Sequence, residues 1–166
     1  MGTLHFSRRN LPHIQHEYSV HFITFCTRHR ELLSSEARDI VLDSCLYGHG
    51  VEVHIYAAVV MPDHVHLVLQ TLIDQNGCEF SISEILKAIK GASAHRINKA
   101  LNRKGSLWQE ESFDHVIRKS EDVNAKMAYV LQNPVRKGLV QRARDYRWVW
   151  TADPDFMSNF LIGNRN

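Results

Sequence analysis

Residues 51–60 and 64–70 are two apolar, β-branched stretches separated only by Met61-Pro62-Asp63. They are close enough in sequence to pair as antiparallel strands, because a parallel return needs a long crossover. The second stretch alternates: Val65, Leu67 and Leu69 point to one face, and His64, His66, Val68 and Gln70 to the other. One face is therefore ordinary core. The opposite face carries two imidazoles where apolar side chains would be expected.

The flanking segments complete an alternating pattern. Residues 17–27 are apolar at both even positions (Tyr18, Val20, Phe22) and odd ones (Ile23, Phe25), which predicts a strand covered on both faces. Ser34 or Ser35 then caps a helix with the stripe Ala37, Ile40, Val41, Cys45, and Gly48 is placed to end it. Ser81 and Glu84 fit a capping box, and Ile82, Ile85, Leu86, Ile89 and Ile97 predict a long helix reaching about Leu101. Residues 107–109 and 113–118 read as short extended segments. Ser120, Glu121 and Asp122 open a last helix, which Asn133-Pro134 is expected to end. The order β-α-β-β-α-β-α predicts an α+β, ferredoxin-like sandwich with a central antiparallel sheet and an added C-terminal helix.

A length of 166 residues with 44% hydrophobic and 23% charged content predicts one domain, with a core over about 17–140 and a tail over 141–166. There is no apolar run long enough for a membrane span, and Arg8 and Arg9 precede no apolar leader segment, so a cytoplasmic protein without membrane contact is expected. Cys26, Cys45 and Cys78 are odd in number and lack Cys-x-x-Cys spacing, which argues against disulfides or a thiolate metal site. Residues 81–150 hold 14 Lys and Arg against 7 Asp and Glu, whereas the rest holds 6 against 11. The second half is therefore the side expected to face a polyanion.

His64 and His66 leave one strand face with Cα atoms roughly 6.6 Å apart, so two ring nitrogens can converge on one ion. Tyr129 and Asn133 are four apart, which places them about 6 Å apart on one face of a helix. Each pair has an ordinary explanation: surface or structural histidines, a tyrosine of the core or its rim, and an asparagine that caps a helix. Taken together they supply what a phosphodiester transesterification needs. Two imidazoles and an amide oxygen leave open positions on Mg²⁺ or Mn²⁺, which acts as a Lewis acid at the scissile phosphate. A tyrosine oxygen attacks phosphorus and conserves the bond energy in a phosphotyrosine, so no nucleotide cofactor is required. The sequence identifies no general base.

Met61-Pro62-Asp63-His64-Val65-His66-Leu67 resembles the His-hydrophobe-His motif of HUH endonucleases, specifically the version in REP-associated tyrosine transposases. Trp108-Gln109, Asp114-His115-Val116-Ile117-Arg118, Tyr129, and the run from Asn133-Pro134 through Val140 match that family in order and approximate spacing. The resemblance implies an HUH domain with His64, His66 and Asn133 as metal ligands and Tyr129 as the 5′-phosphotyrosine nucleophile. It implies a substrate of single-stranded DNA carrying short palindromic hairpins. Asp63 stands where that family usually has Asn, Ser112 replaces a frequent aromatic, and Tyr146-Arg147-Trp148-Val149-Trp150 departs from its Pro-Trp-Ser-Ser ending.

Candidate DNA contacts are Arg118, Lys119, Arg136 and Lys137 beside the active helix, and Lys87, Lys90 and Arg96 as a wider basic surface. Trp108 is a candidate for stacking on an unpaired base, with a core or edge role as its alternative, and Arg8 and Arg9 could form an arm on the hairpin. His115 reads as a structural hydrogen-bonding residue. Both a monomer and a homodimer are compatible with the sequence. A non-catalytic ferredoxin-like nucleic-acid-binding module and a metal hydrolase using water are the competing readings; neither forms a covalent adduct with DNA.

Overall fold

The computed structural model describes residues 19–118 and 121–159. Five strands, β1 (Val20–Cys26), β2 (Val53–Val60), β3 (His64–Thr71), β4 (Phe113–Ile117) and β5 (Val149–Thr151), form one sheet in the order β4-β1-β3-β2-β5. Every neighbouring pair is antiparallel. The first four strands stand in the ferredoxin-like arrangement expected from the element order, and β5 extends it beyond β2. As anticipated, β2 and β3 are joined by the Met61-Pro62-Asp63 turn, with Met61 N–H donating to His64 O at 2.8 Å.

Helices α1 (Ser35–Leu46) and α2 (Ile82–Ala100) pack together on one face of the sheet. Ser34 Oγ caps α1 by accepting from Ala37 N, and Ser81 Oγ caps α2 by accepting from Glu84 N. The odd-numbered residues of the central strands, Ile23, Phe25, Val65, Leu67 and Leu69, are buried beneath these helices. Helix α3 (Val123–Leu131) lies against β2 and β3 on the opposite face, burying Met127, Val130 and Leu131. That double cover explains why strands of an antiparallel sheet carry apolar residues at both parities.

Two expectations are corrected. Helix α3 ends at Leu131, just before Asn133-Pro134 as expected, but after Gln132 the chain enters a second short helix, α4 (Asn133–Arg136), with Pro134 in its first turn. Proline is tolerated there because a first-turn N–H has no intrahelical partner to lose. Tyr129 and Asn133 therefore lie on successive helices, not on one face of a single helix. The region treated as a tail is also built into the fold, with β5 on the sheet edge and α5 (Pro154–Asn159) after it. Residues 17 and 18, the expected start of the first strand, lie outside the described residues.

The aromatic run in that C-terminal segment explains its attachment. Tyr146 Oη donates to Val60 O at 2.9 Å and accepts from Arg38 Nη1 at 3.1 Å. Trp148 Nε1 donates to Asp39 Oδ1 at 2.8 Å, while the Arg38 guanidinium stacks 3.5 Å above the indole. Both rings are buried against α1 and the end of β2. Trp148→Ala is expected to destabilise the fold by about 3 kcal/mol, from lost burial plus the cavity left behind. Urea unfolding should show a lower midpoint with little change in slope.

Candidate active site

The even-numbered face of β3 meets β1 in a register that sets Thr24 opposite His66 and Cys26 opposite His64. The two imidazole centroids are 4.7 Å apart, with planes nearly perpendicular. Each ring is held by its Nδ1: His64 Nδ1 donates to Asp63 Oδ1 at 2.6 Å, and His66 Nδ1 lies 2.7 Å from Thr24 Oγ1. Among the described residues neither Nε2 has a hydrogen-bond partner, so both remain available to a ligand. His66 is buried; the His64 side chain retains 13% exposure.

Helix α3 brings the phenol to the same face. Phe22 stacks on His66 with ring centroids 5.6 Å apart, and the edge of Tyr129 meets Phe22 at 6.3 Å. Val130 and Leu131, next to Tyr129 in sequence, are fully buried, yet Tyr129 itself is 51% exposed. The helix thus buries its apolar side and leaves the phenol at the rim. Arg136 stacks 4.1 Å from the Tyr129 ring centre and donates to Tyr129 O at 2.7 Å, and Lys126 Nζ lies 5.8 Å from the same ring. Cations therefore flank the ring.

Two imidazoles with free Nε2 atoms are donors of the kind that hold divalent ions. Among the described residues no cluster of three His, Cys, Asp or Glu side chains stands ready to hold a metal, so a third donor beside the two imidazoles must be of another kind. Asn133 offers an amide oxygen; its side chain is 5% exposed and makes no hydrogen bond among the described residues.

Burial, then the neighbouring His64 and Arg136, pull the His66 pKa down to about 3. The ring is neutral near pH 7, as a metal-ligating imidazole must be. Burial alone would raise the Asp63 carboxyl, but its hydrogen bond to His64 and the charges of His64 and Arg30 prevail and hold it below the ordinary range. The His66 shift carries a stability consequence. The unfolded chain binds a proton at this residue near the ordinary histidine value of about 6.5, whereas the folded chain resists it until about 3. Its contribution is therefore complete above the ordinary value and lost as pH falls towards 3, by up to on the order of 4 kcal/mol. Urea midpoints of chelator-treated protein should fall through this window, and His66→Ala should flatten the slope.

Of the residues expected from sequence, the structure gathers His64, His66, Tyr129 and Arg136, with Asn133 on the next short helix. Arg118 at the end of β4 and Lys137 after α4 are exposed. Lys87, Lys90 and Arg96 belong to α2, across the sheet from the imidazoles. Lys87 and Lys90 line a groove of about 980 Å³ there, and Lys90 Nζ donates to Glu110 O and Ser112 Oγ. Arg96 pairs with Asp43 at 2.7 Å. Trp108 takes its alternative, core role: it is 5% exposed, its Nε1 donates to Ser93 Oγ at 3.0 Å, and its ring packs on Phe25. His115 pairs with Glu121, in keeping with a structural role. Arg8, Arg9 and Lys119 lie outside the described residues. Thr24, Phe22 and Lys126 were not anticipated. Lys126, three residues before Tyr129, had a legible signal in helical spacing.

Residues 14–133 match the model of the IS200-like transposase family. The chain belongs to that family. A REP-associated tyrosine transposase of Haemophilus influenzae is 26% identical over 97 residues, covering 54% of each chain, so this chain matches about half the length of that relative. A solved REP-associated tyrosine transposase bound to a REP hairpin superimposes with a TM-score of 0.60 at 22% identity, covering 84% of this chain and 82% of that one. A transposase structure from Deinococcus radiodurans gives 0.47 at 25% identity, over 70% and 91%. The hairpin-bound relative shares the architecture of this IS200-like transposase: an antiparallel sheet with helices, here covered on both faces. Among the described residues no helix is long and apolar enough to cross a membrane.

Proposed function

We propose that this IS200-like transposase is a metal-dependent endonuclease and strand transferase for single-stranded DNA, acting on hairpin substrates through a 5′-phosphotyrosine at Tyr129. The observation that carries the reading is the ladder Tyr129–Phe22–His66, which sets a half-exposed phenol on the sheet face where two imidazoles keep Nε2 free. His64, His66 and Asn133 would hold Mg²⁺ or Mn²⁺, which supplies Lewis-acid stabilisation of charge on the scissile phosphate.

The chain's own residues do the rest. The Tyr129 oxygen attacks phosphorus and forms the phosphotyrosine bond; the bond from phosphorus to the 3′ oxygen breaks, and that oxygen leaves as a 3′-hydroxyl after taking up a proton. The phenolic proton passes to solvent, which reaches Tyr129 at the rim. Lys126 and Arg136 place positive charge beside the ring, and Arg118 and Lys137 extend it for the flanking phosphates. Attack by a 3′-hydroxyl reverses the step and joins strands. A hairpin substrate is supported by the hairpin-bound state of the structural relative.

The test is incubation of the full chain with end-labelled single strands carrying a hairpin, plus Mn²⁺, followed by a denaturing gel and peptide mass spectrometry. A covalent adduct at Tyr129 is expected. Cleavage without an adduct would favour hydrolysis by water, and binding without cleavage would favour a recognition module.

A further inference from the structure

We propose that Asp63 is a positioning residue that locks His64 in its Nδ1–H tautomer, leaves Nε2 bare, and thereby sets the metal affinity of the site; the affinity claim rests on the metal-centre reading above. An ionised carboxylate only accepts hydrogen bonds, so the 2.6 Å contact to Asp63 Oδ1 requires the proton on His64 Nδ1. His66 has no such instruction: its partner, the Thr24 hydroxyl, can donate or accept. The two imidazoles are therefore unequal, and only His64 has a partner that both fixes the tautomer and enriches the ring's electron density.

Asp63 is held through both its backbone carbonyl and its carboxylate. Asp63 O accepts from Thr27 N at 2.9 Å and from Thr27 Oγ1 at 3.0 Å, and Pro62 O accepts from Leu33 N at 2.7 Å. The second carboxylate oxygen, Oδ2, accepts from Arg30 Nη1 at 3.2 Å. Arg30 is delivered by an unusual backbone: His29 and Arg30 both have positive φ, 55° and 56°, without a glycine. Such left-handed residues persist where their surroundings over-determine them. Here Thr27 Oγ1 closes the turn onto Glu31 O, and Arg103 grips the Glu31 carboxylate. The turn fixes Asp63, and Asp63 fixes the ring.

Two readouts test this on the full-length protein with Asp63→Ala and Asp63→Asn. Long-range ¹H–¹⁵N spectra of metal-free protein, taken where imidazoles are neutral, should show His64 protonated at Nδ1, and Asp63→Ala should mix the tautomers. Mn²⁺ titration followed by electron paramagnetic resonance should show Asp63→Ala binding about 10- to 100-fold more weakly. Asp63→Asn, which keeps the size and an acceptor oxygen but not the charge, should fall between and covers the case in which the alanine variant does not fold. If both variants bind Mn²⁺ like the unmodified protein, or if His64 carries its proton on Nε2, the proposal is overturned while the metal centre stands. An unmodified protein that binds no Mn²⁺ overturns the metal centre and the affinity claim together, and leaves the tautomer claim to the spectra.

Discussion

Tyr129→Phe is expected to eliminate the covalent protein–DNA adduct and to lower strand cleavage by a factor on the order of 10⁴ or more, since it deletes the attacking atom and almost nothing else. The substitution removes one oxygen from a ring that is half exposed, and the edge contact with Phe22 and the stacked Arg136 do not depend on it. Folding should be unchanged within about 0.5 kcal/mol, as for a surface site. Hairpin binding should persist too, because the proposed phosphate contacts are made by the surrounding cations. Single-turnover cleavage, adduct gels and a binding titration on the same preparation separate these effects. Normal cleavage by the phenylalanine protein would falsify the assignment.

On the proposed function, His66→Ala is expected to cost more metal affinity than the roughly 10- to 100-fold typical of losing an outer partner, because it deletes a proposed ligand nitrogen. Metal-dependent cleavage should fall with it, and raising Mn²⁺ should restore little. The structural cost is mixed. A ring stacked on Phe22 and nearly shielded from solvent is lost, but so is a polar group whose burial is unfavourable in acid. Thermal unfolding in chelator measures the structural cost, and Mn²⁺ titration measures the loss of metal affinity. A variant that folds and binds Mn²⁺ like the parent would remove His66 from the ligand set.

Much of this was legible in the residues because it depends on local rules. The period-two alternation of 64–70 predicts which side chains share a face, and the caps at Ser34 and Ser81 mark where two helices begin. The juxtaposition of Tyr129 with the imidazole face was readable only as a conditional, since it depends on which side of the sheet α3 covers. The misjudged features are tertiary. Pro134 reads as a stop from its own chemistry, yet it is accommodated in the first turn of a new helix. Nothing in the pattern of the 146–150 run shows that Asp39 and Arg38 of α1 receive it. Trp108 offers a base-stacking ring on paper and a core ring in space, and the difference is a hydroxyl fifteen residues earlier, Ser93.

Strand β3 has no idle side. His64 and His66 ride on the same backbone that carries Val65 and Leu67 into the opposite layer, beneath α1 and α2. A methylene trimmed from that layer is expected to shift the imidazoles without ever touching them. Drift in the helical layer is then tethered to the proposed catalysis, and variants that cripple it should turn up among apolar positions remote from the site as readily as among its cations.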